Sequence, residues 1–457
     1  MKKMLLCCCL LPIIAIAQSN TDSLFIKNIS DEILANGKAY HWLYQLTKQV
    51  GGRLAGSPQF AHAERWGKAT MDSMGADKVW LQACTVQPWF RGKGDKVSIT
   101  AINNSPKIIP LDALALGNSY GTAAAKGVTA QVVAIKDFDD LEQKKNTLKG
   151  KIVFYNYHFN PTLVSTFAAY SDAGKYRWSG ASRAAKYGAV GMIVRSMSES
   201  QDNNPHTGWM GYNDSFPKIP AAAIGLQDAD KLWSLCEHST VTINLLTHGK
   251  FLKDTIAHNV IAELKGKDFP NEIITLGGHL DSWDVNEGAH DDGAGVVHTL
   301  EVLRVYKALG YQPKHTIRFV LFANEENGGA GGKVYSETAK ANNETHIFAL
   351  ESDEGGFTPR GFSLDVPEKA WLKLNDWKKL LNPYGGDHLQ KGGGGADIEG
   401  LNDLLHTPVG ELVPDNQRYF DFHHARNDVF ENVNKRELLL GAVNIAALIY
   451  LIDQHGL

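Results

Sequence analysis

The stretch Thr275–Leu303, TLGGHLDSWDVNEGAHDDGAGVVHTLEVL, decides how this chain is read, because it sets His279, Asp281, Asp291 and Asp292 between an apolar run and a helix-like one. The apolar run, EIITLGG, has the length and β-branched content of a buried strand. Metal-friendly side chains therefore stand where a strand ends and a helix begins. Two further apolar runs end the same way: TIRFVLFAN leads into Asn324-Glu325-Glu326, and THIFALES into Glu351-Ser352-Asp353. Open α/β sheets bind ligands beyond the carboxyl ends of their strands, so these groups converge if the strands are neighbours. A fourth cluster, FDFHHARNDVFENVN, supplies His423, His424 and Asp428.

Histidine nitrogen together with carboxylate oxygen suits zinc, whereas an all-oxygen set favours calcium or magnesium. A lone His-x-Asp is commonplace on a surface; four clusters at strand ends or loops are not. The adjacent carboxylates Glu325 and Glu326 can divide their labour, one held by a cation and the other free to take a proton.

Working outward, strands and helices alternate from His258 onward, which predicts an α/β sheet, mixed and mostly parallel, flanked by helices. The last helix, from about Lys435, carries Leu438, Leu439, Ala442, Ile445 and Ile449 on one side. Near the N-terminus, SLFIKNISDEILANGKAYHWLYQLTKQV is helical in period. Ser57 before Pro58 then marks a helix start and Gly75 a stop. Strands are expected at Val79–Leu81 and Val97–Ile102. From Gly117 the texture changes to short β-rich runs and one Ala-rich helix, which reads as an inserted module. The expected organisation is a signal segment over 1–17, the N-terminal part of the main domain over 18–116, the insert over 117–249 and the catalytic domain over 250–457.

The 457 residues can bury a large core, and the formal net charge of −4 gives no basic excess for a phosphate backbone, so nucleic acid is excluded as a partner. The N-terminus has Lys2 and Lys3, an apolar run from Met4 to Ala17, and a small-residue triplet Ala15-Ile16-Ala17. This fits a secretory signal cleaved near Gln18 or Ser19, giving a secreted or periplasmic protein. The run is short of the roughly 20 apolar residues a spanning helix needs, so no stable membrane span is expected in the mature chain. A lipoprotein reading on Cys7 to Cys9 lacks a small residue before the cysteine. Cleavage would leave Cys84 and Cys236, enough for at most one intramolecular disulfide.

GGHLDSWD, GAHDDGAGV, ANEENGG, ESDEGG and FHHARND, in that order, resemble the metal-binding motifs of the co-catalytic zinc exopeptidases of the aminopeptidase S and transferrin-receptor family, within it the carboxypeptidase Q (plasma glutamate carboxypeptidase) branch. LKGKIV, AAKYGAVGMIV and IPAAAI in the insert resemble a protease-associated domain. The resemblance implies a zinc-exopeptidase-like fold, two Zn2+ per chain and a small peptide as substrate; a homodimer is left open. It makes Asp291 the bridge between the metals, with His279 and Asp353 on one ion and Glu326 and a C-terminal His on the other. Glu325 matches the general base, and Asp281 would hydrogen-bond the distal nitrogen of His279. It also implies a cis peptide between Asp291 and Asp292. Gly293 and Gly295 permit a tight entry into the following helix.

Counting back four residues from Asp428 selects His424 as the ligand and leaves His423, where several relatives have Tyr, as the oxyanion donor, with the reverse assignment open. His290 is expected as a pocket wall rather than a ligand. Trp283 and the loop from Gly392 to Asp397 are candidates for reading a substrate terminus. Two other readings share the fold: a single-zinc glutaminyl cyclase, and a non-catalytic receptor-like member that has lost its ligands.

Overall fold

The computed structural model describes residues 11–457, with side chains from Thr21 onward. The signal-segment reading of residues 1–17 lies outside the residues whose side chains are described. The helical N-terminal stretch forms Leu11–Asn36, Ala39–Tyr44 and a wider turn Gln45–Val50. The helix Pro58–Ser73 starts as expected: the Ser57 side chain accepts the N–H of Phe60, and Gly75 takes a positive φ of 74° after its end.

Eight strands make the main sheet: β1 (Lys78–Val86), β2 (Thr255–Leu264), β3 (Phe269–His279), β4 (His315–Phe322), β5 (Thr345–Glu351), β6 (Pro359–Asp365), β7 (His388–Lys391) and β8 (Val409–Pro414). Their spatial order is β1-β2-β4-β3-β5-β8-β6-β7. β4, β3, β5 and β8 run parallel at its centre. β1, β2 and the β6–β7 pair add antiparallel neighbours at the flanks. The three strands that end in acidic or His residues are thus adjacent and codirectional, and their carboxyl ends open onto one place.

The helix Lys435–His455 is long and apolar enough to cross a membrane, yet most of it is buried in this fold. It is buried all round rather than on one side: besides the expected apolar positions, Val443, Asn444, Ala446, Leu448 and Leu451 are also buried. It packs on the N-terminal helix and on Ala294–Ala308, which leaves it no continuous solvent face beyond its first turn, where Lys435 and Arg436 are exposed.

A second sheet of eight strands, including Val128–Ile135, Ile152–Tyr155, Gly191–Arg195 and Ala221–Ile224, has its own apolar clusters. It begins earlier than the boundary placed at Gly117. Strands Lys96–Ile102, Ser105–Leu111 and Ala113–Ala115 belong to it, because Lys96–Ile102 pairs with Val241–Leu246 from the far end of the insert. Cys84, on β1, and Cys236, in the helix Leu226–His238 of the second layer, are both free thiols.

Candidate metal centre

β3 ends on His279, and the chain then hooks through a loop to a single wide turn, Ala289–Gly293, that feeds the helix Ala294–Ala308. Within that turn Asp291 and Asp292 are not helical and the peptide between them is cis, as the resemblance implied. Asp292 holds the hook shut: its Oδ2 accepts the N–H of His279 at 3.0 Å and its Oδ1 the N–H of Gly295 at 2.8 Å. Glycine at 295 is required by contact rather than by φ, since a Cβ there would lie 1.8 Å from the carbonyl oxygen of Ser352.

The carboxylate of Asp291 is shared between two groups. Its Oδ1 faces His279 Nε2 at 3.2 Å, and that nitrogen also lies 3.4 Å from Asp353 Oδ1. Its Oδ2 faces His424 Nε2 at 3.2 Å, and His424 Nε2 lies 3.1 Å from Glu326 Oε2. All five expected ligands therefore meet, in two triads joined through Asp291. His423 stacks on His424 with ring centroids 3.5 Å apart, and its Nε2 is 3.8 Å from Asp291 Oδ2. His424 alone of the two reaches Glu326, and it does so from a left-handed backbone, φ 61°.

Burial alone would raise the Asp291 carboxyl, but the imidazoles of His279 and His424 hold it well below the usual carboxylate range. Burial pushes Glu325 up to about 8; His279 opposes that shift and Asp353 adds to it. Buried oxygens Asp291 Oδ2 and Asp353 Oδ1 accept no hydrogen bond. Carboxylate oxygens left without donors beside imidazole Nε2 atoms make a donor set suited to a cation, and the mixed N/O donors fit zinc.

Asp281 differs from its expected role. His279 Nδ1 is 3.0 Å from the backbone carbonyl of Asp281, while the carboxylate Oδ1 is 3.8 Å away. That carboxylate instead accepts the backbone N–H of Glu325 at 3.1 Å and of Glu326 at 3.3 Å. It orients the two glutamates, and the carbonyl two residues after His279 sets the imidazole.

Three other candidates are also displaced. Trp283 is fully buried, edge-on to His424 at 5.6 Å, and its backbone N–H donates to Glu326 Oε1 at 3.1 Å, so it backs the candidate ligands and does not line the cavity. The loop from Gly392 to Asp397 folds over Glu351, with the Asp397 N–H on Glu351 Oε2 at 3.1 Å, and does not line the cavity. His290 stacks on Phe357 at 4.2 Å and accepts the Gly356 N–H, which makes it packing rather than a wall.

The buried charge of Arg53 escaped the sequence reading, as did the contacts of the buried Asp428. Arg53 donates to the carbonyls of Leu280 at 2.6 Å, Glu287 at 2.7 Å and Gly288 at 3.1 Å, fastening the loop between the ligands. Burial lowers its guanidinium to about 10 despite the nearby Asp281 and Asp428. Asp428 accepts the N–H groups of His290 and Asp291. The cavity over the cluster, about 470 Å³, is lined on one side by Asp291, Glu325, Glu326 and Asp353 and on the other by Phe167, Tyr170, Arg177 and Trp209 of the second layer.

Residues 259–449 match Peptidase family M28. The chain is 33% identical to carboxypeptidase Q of Homo sapiens over 92% of its own length and 86% of that protein. A solved structure of a peptidase M28 precursor from Shewanella amazonensis SB2B is 34% identical and superposes with a TM-score of 0.89 over 95% of this chain and 97% of the other. The aminopeptidase from Aneurinibacillus sp. strain AM-1, 23% identical, shares the fold with a TM-score of 0.63 over 93% of this chain and 95% of the other. With the order of its strands, the two triads on Asp291 and these likenesses all in agreement, this chain belongs to peptidase family M28.

Proposed function

We propose that the chain is a zinc-dependent exopeptidase that releases one residue at a time from small peptides. The observation that carries this reading is the pair of triads sharing Asp291, with Glu325 beside them in the same cavity. His279, Asp291 and Asp353 would hold one zinc ion, and Asp291, Glu326 and His424 the other. Bound there, the ions supply Lewis-acid activation of water and of the scissile carbonyl.

The chain's own groups do the rest. Glu325, whose carboxylate makes no hydrogen bond to a neighbour among the described residues, takes the proton of the attacking water and delivers it to the leaving amine. Asp281 positions it by gripping its backbone N–H. His423 lines the cavity and donates to the oxyanion of the tetrahedral intermediate. The second layer acts as a protease-associated-like cover, supported by the four residues it contributes to the cavity wall. The N-terminal apolar run supports export, which N-terminal sequencing of the mature protein near Gln18 or Ser19 checks.

The test of the function is mass spectrometry of short peptides incubated with zinc-loaded protein. Stepwise loss of single terminal residues is expected; cleavage only at internal bonds, or none, refutes the reading.

A further inference from the structure

A second cavity, of about 440 Å³, adjoins the one over the metal cluster at Trp209, and Trp209 and Gly328 line both. The backbone of Trp209 is fixed: its carbonyl accepts Arg177 Nε at 3.2 Å, and the residue bridges to Gly117. Its side of the wall is one indole, 42% exposed, on a rigid support.

This second cavity lies where the two sheets meet, and there the Asn118 side chain donates to the Asn327 carbonyl at 3.1 Å. Tyr120 stands against Tyr212 at 5.8 Å and Phe251 at 5.4 Å, giving an aromatic surface. Lys218, with its ammonium 5.5 Å from the Tyr120 ring, is the one charged side chain among the described residues lining it. Its ion-pair partner Asp214 is 90% exposed, so that pair is weak and exchangeable. The first cavity, by contrast, carries the four carboxylates of Asp291, Glu325, Glu326 and Asp353 against one guanidinium, that of Arg177, whose N–H groups are taken by the carbonyls of Thr207 and Trp209 and the hydroxyl of Tyr170.

We propose that the second cavity is the distal subsite for the carboxyl-terminal part of a peptide substrate, with an apolar or aromatic side chain against Tyr120, Tyr212 and Phe251 and the free carboxylate at Lys218. This rests on the exopeptidase reading and gives it a polarity: the amino terminus sits over the metal cluster, and residues leave from that end. An extended chain advances about 3.3–3.6 Å per residue, so a third residue carries it past one indole ring.

The test compares three substrates on the zinc-loaded protein: Leu-Ala, Leu-Ala-Phe and Leu-Ala-Phe amide. The tripeptide should exceed the dipeptide in kcat/KM by about tenfold, with Leu released first, and amidation should raise KM several-fold, the scale of losing one charge-assisted contact. Lys218→Ala should abolish the preference for acid over amide, and Phe251→Ala should lower tripeptide kcat/KM. Neither should change Leu-Ala hydrolysis. A tripeptide no better than the dipeptide, an acid-over-amide ratio untouched by Lys218→Ala, or Phe released first overturns the subsite while leaving the exopeptidase reading intact. No hydrolysis of any of the three overturns both.

Discussion

The carboxylate of Asp428 accepts the backbone N–H of Asp291 at 3.2 Å. The segment that carries His424 thereby also fixes the residue that joins the two triads. With its other oxygen on the His290 N–H at 2.7 Å, Asp428 satisfies two buried donors at once.

Asp428→Ala leaves both N–H groups buried without acceptors, at about 1–3 kcal/mol each. Denaturant unfolding should show a loss of about 2–6 kcal/mol, and zinc should bind more weakly at both positions. An unchanged midpoint with unchanged zinc affinity would show that the strap does not matter.

The neighbouring glutamates should part company. Glu325→Gln should keep its zinc while turnover falls roughly 10²–10⁴-fold, the scale of a lost general base. Glu326→Gln should weaken one metal position, since it removes a contact 3.1 Å from His424. Zinc content and steady-state kinetics of the two variants decide it; identical behaviour would contradict the division of roles.

The stacked histidines should separate in a similar way. His424→Ala is expected to release zinc, because His424 faces both Asp291 and Glu326. His423→Ala should retain metal and lose on the order of 10²-fold in turnover with KM little changed. If His423→Ala strips metal and His424→Ala does not, the ligand is His423.

Away from the site, Glu344 provides a pH signature. The His346 imidazole at 3.1 Å and the Arg318 guanidinium at 2.7 Å hold its carboxyl down at about 2. A carboxyl lowered in the folded state stabilises fully above its unfolded value, near 4.3, and loses that contribution as pH falls toward 2. Because the group is partly solvated, the contribution is about 1 kcal/mol. Unfolding of Glu344→Gln should differ from the parent by that amount at pH 7 and converge with it near pH 2; a constant difference would show that the charge is not responsible.

The candidate ligands were legible because each stands at the carboxyl end of an apolar run or in a loop motif, and parallel β4, β3 and β5 bring three of the four clusters together. What the sequence hid was contact between distant segments. Asp281 looked like a partner for the imidazole two residues away, yet its carboxylate turns to backbone N–H groups more than forty residues later. Arg53 sits in a glycine-rich loop with no pattern that points to Leu280 or Gly288. The wall residues Tyr170 and Arg177 belong to a helix whose spacing announces only packing, and the early strands from Lys96 join the second sheet through pairing with a segment about 140 residues on.

The central claim is that Asp291 joins two zinc ions that hydrolysis requires, and the most direct measurement is elemental analysis with peptide hydrolysis on the same preparation before chelation, after it, and during stepwise return of zinc. Close to two zinc ions per chain are expected, with no hydrolysis in the chelated protein, full recovery only as the second equivalent binds, and disturbance of both equivalents in Asp291→Ala. One tightly bound zinc per chain with undiminished hydrolysis would contradict it.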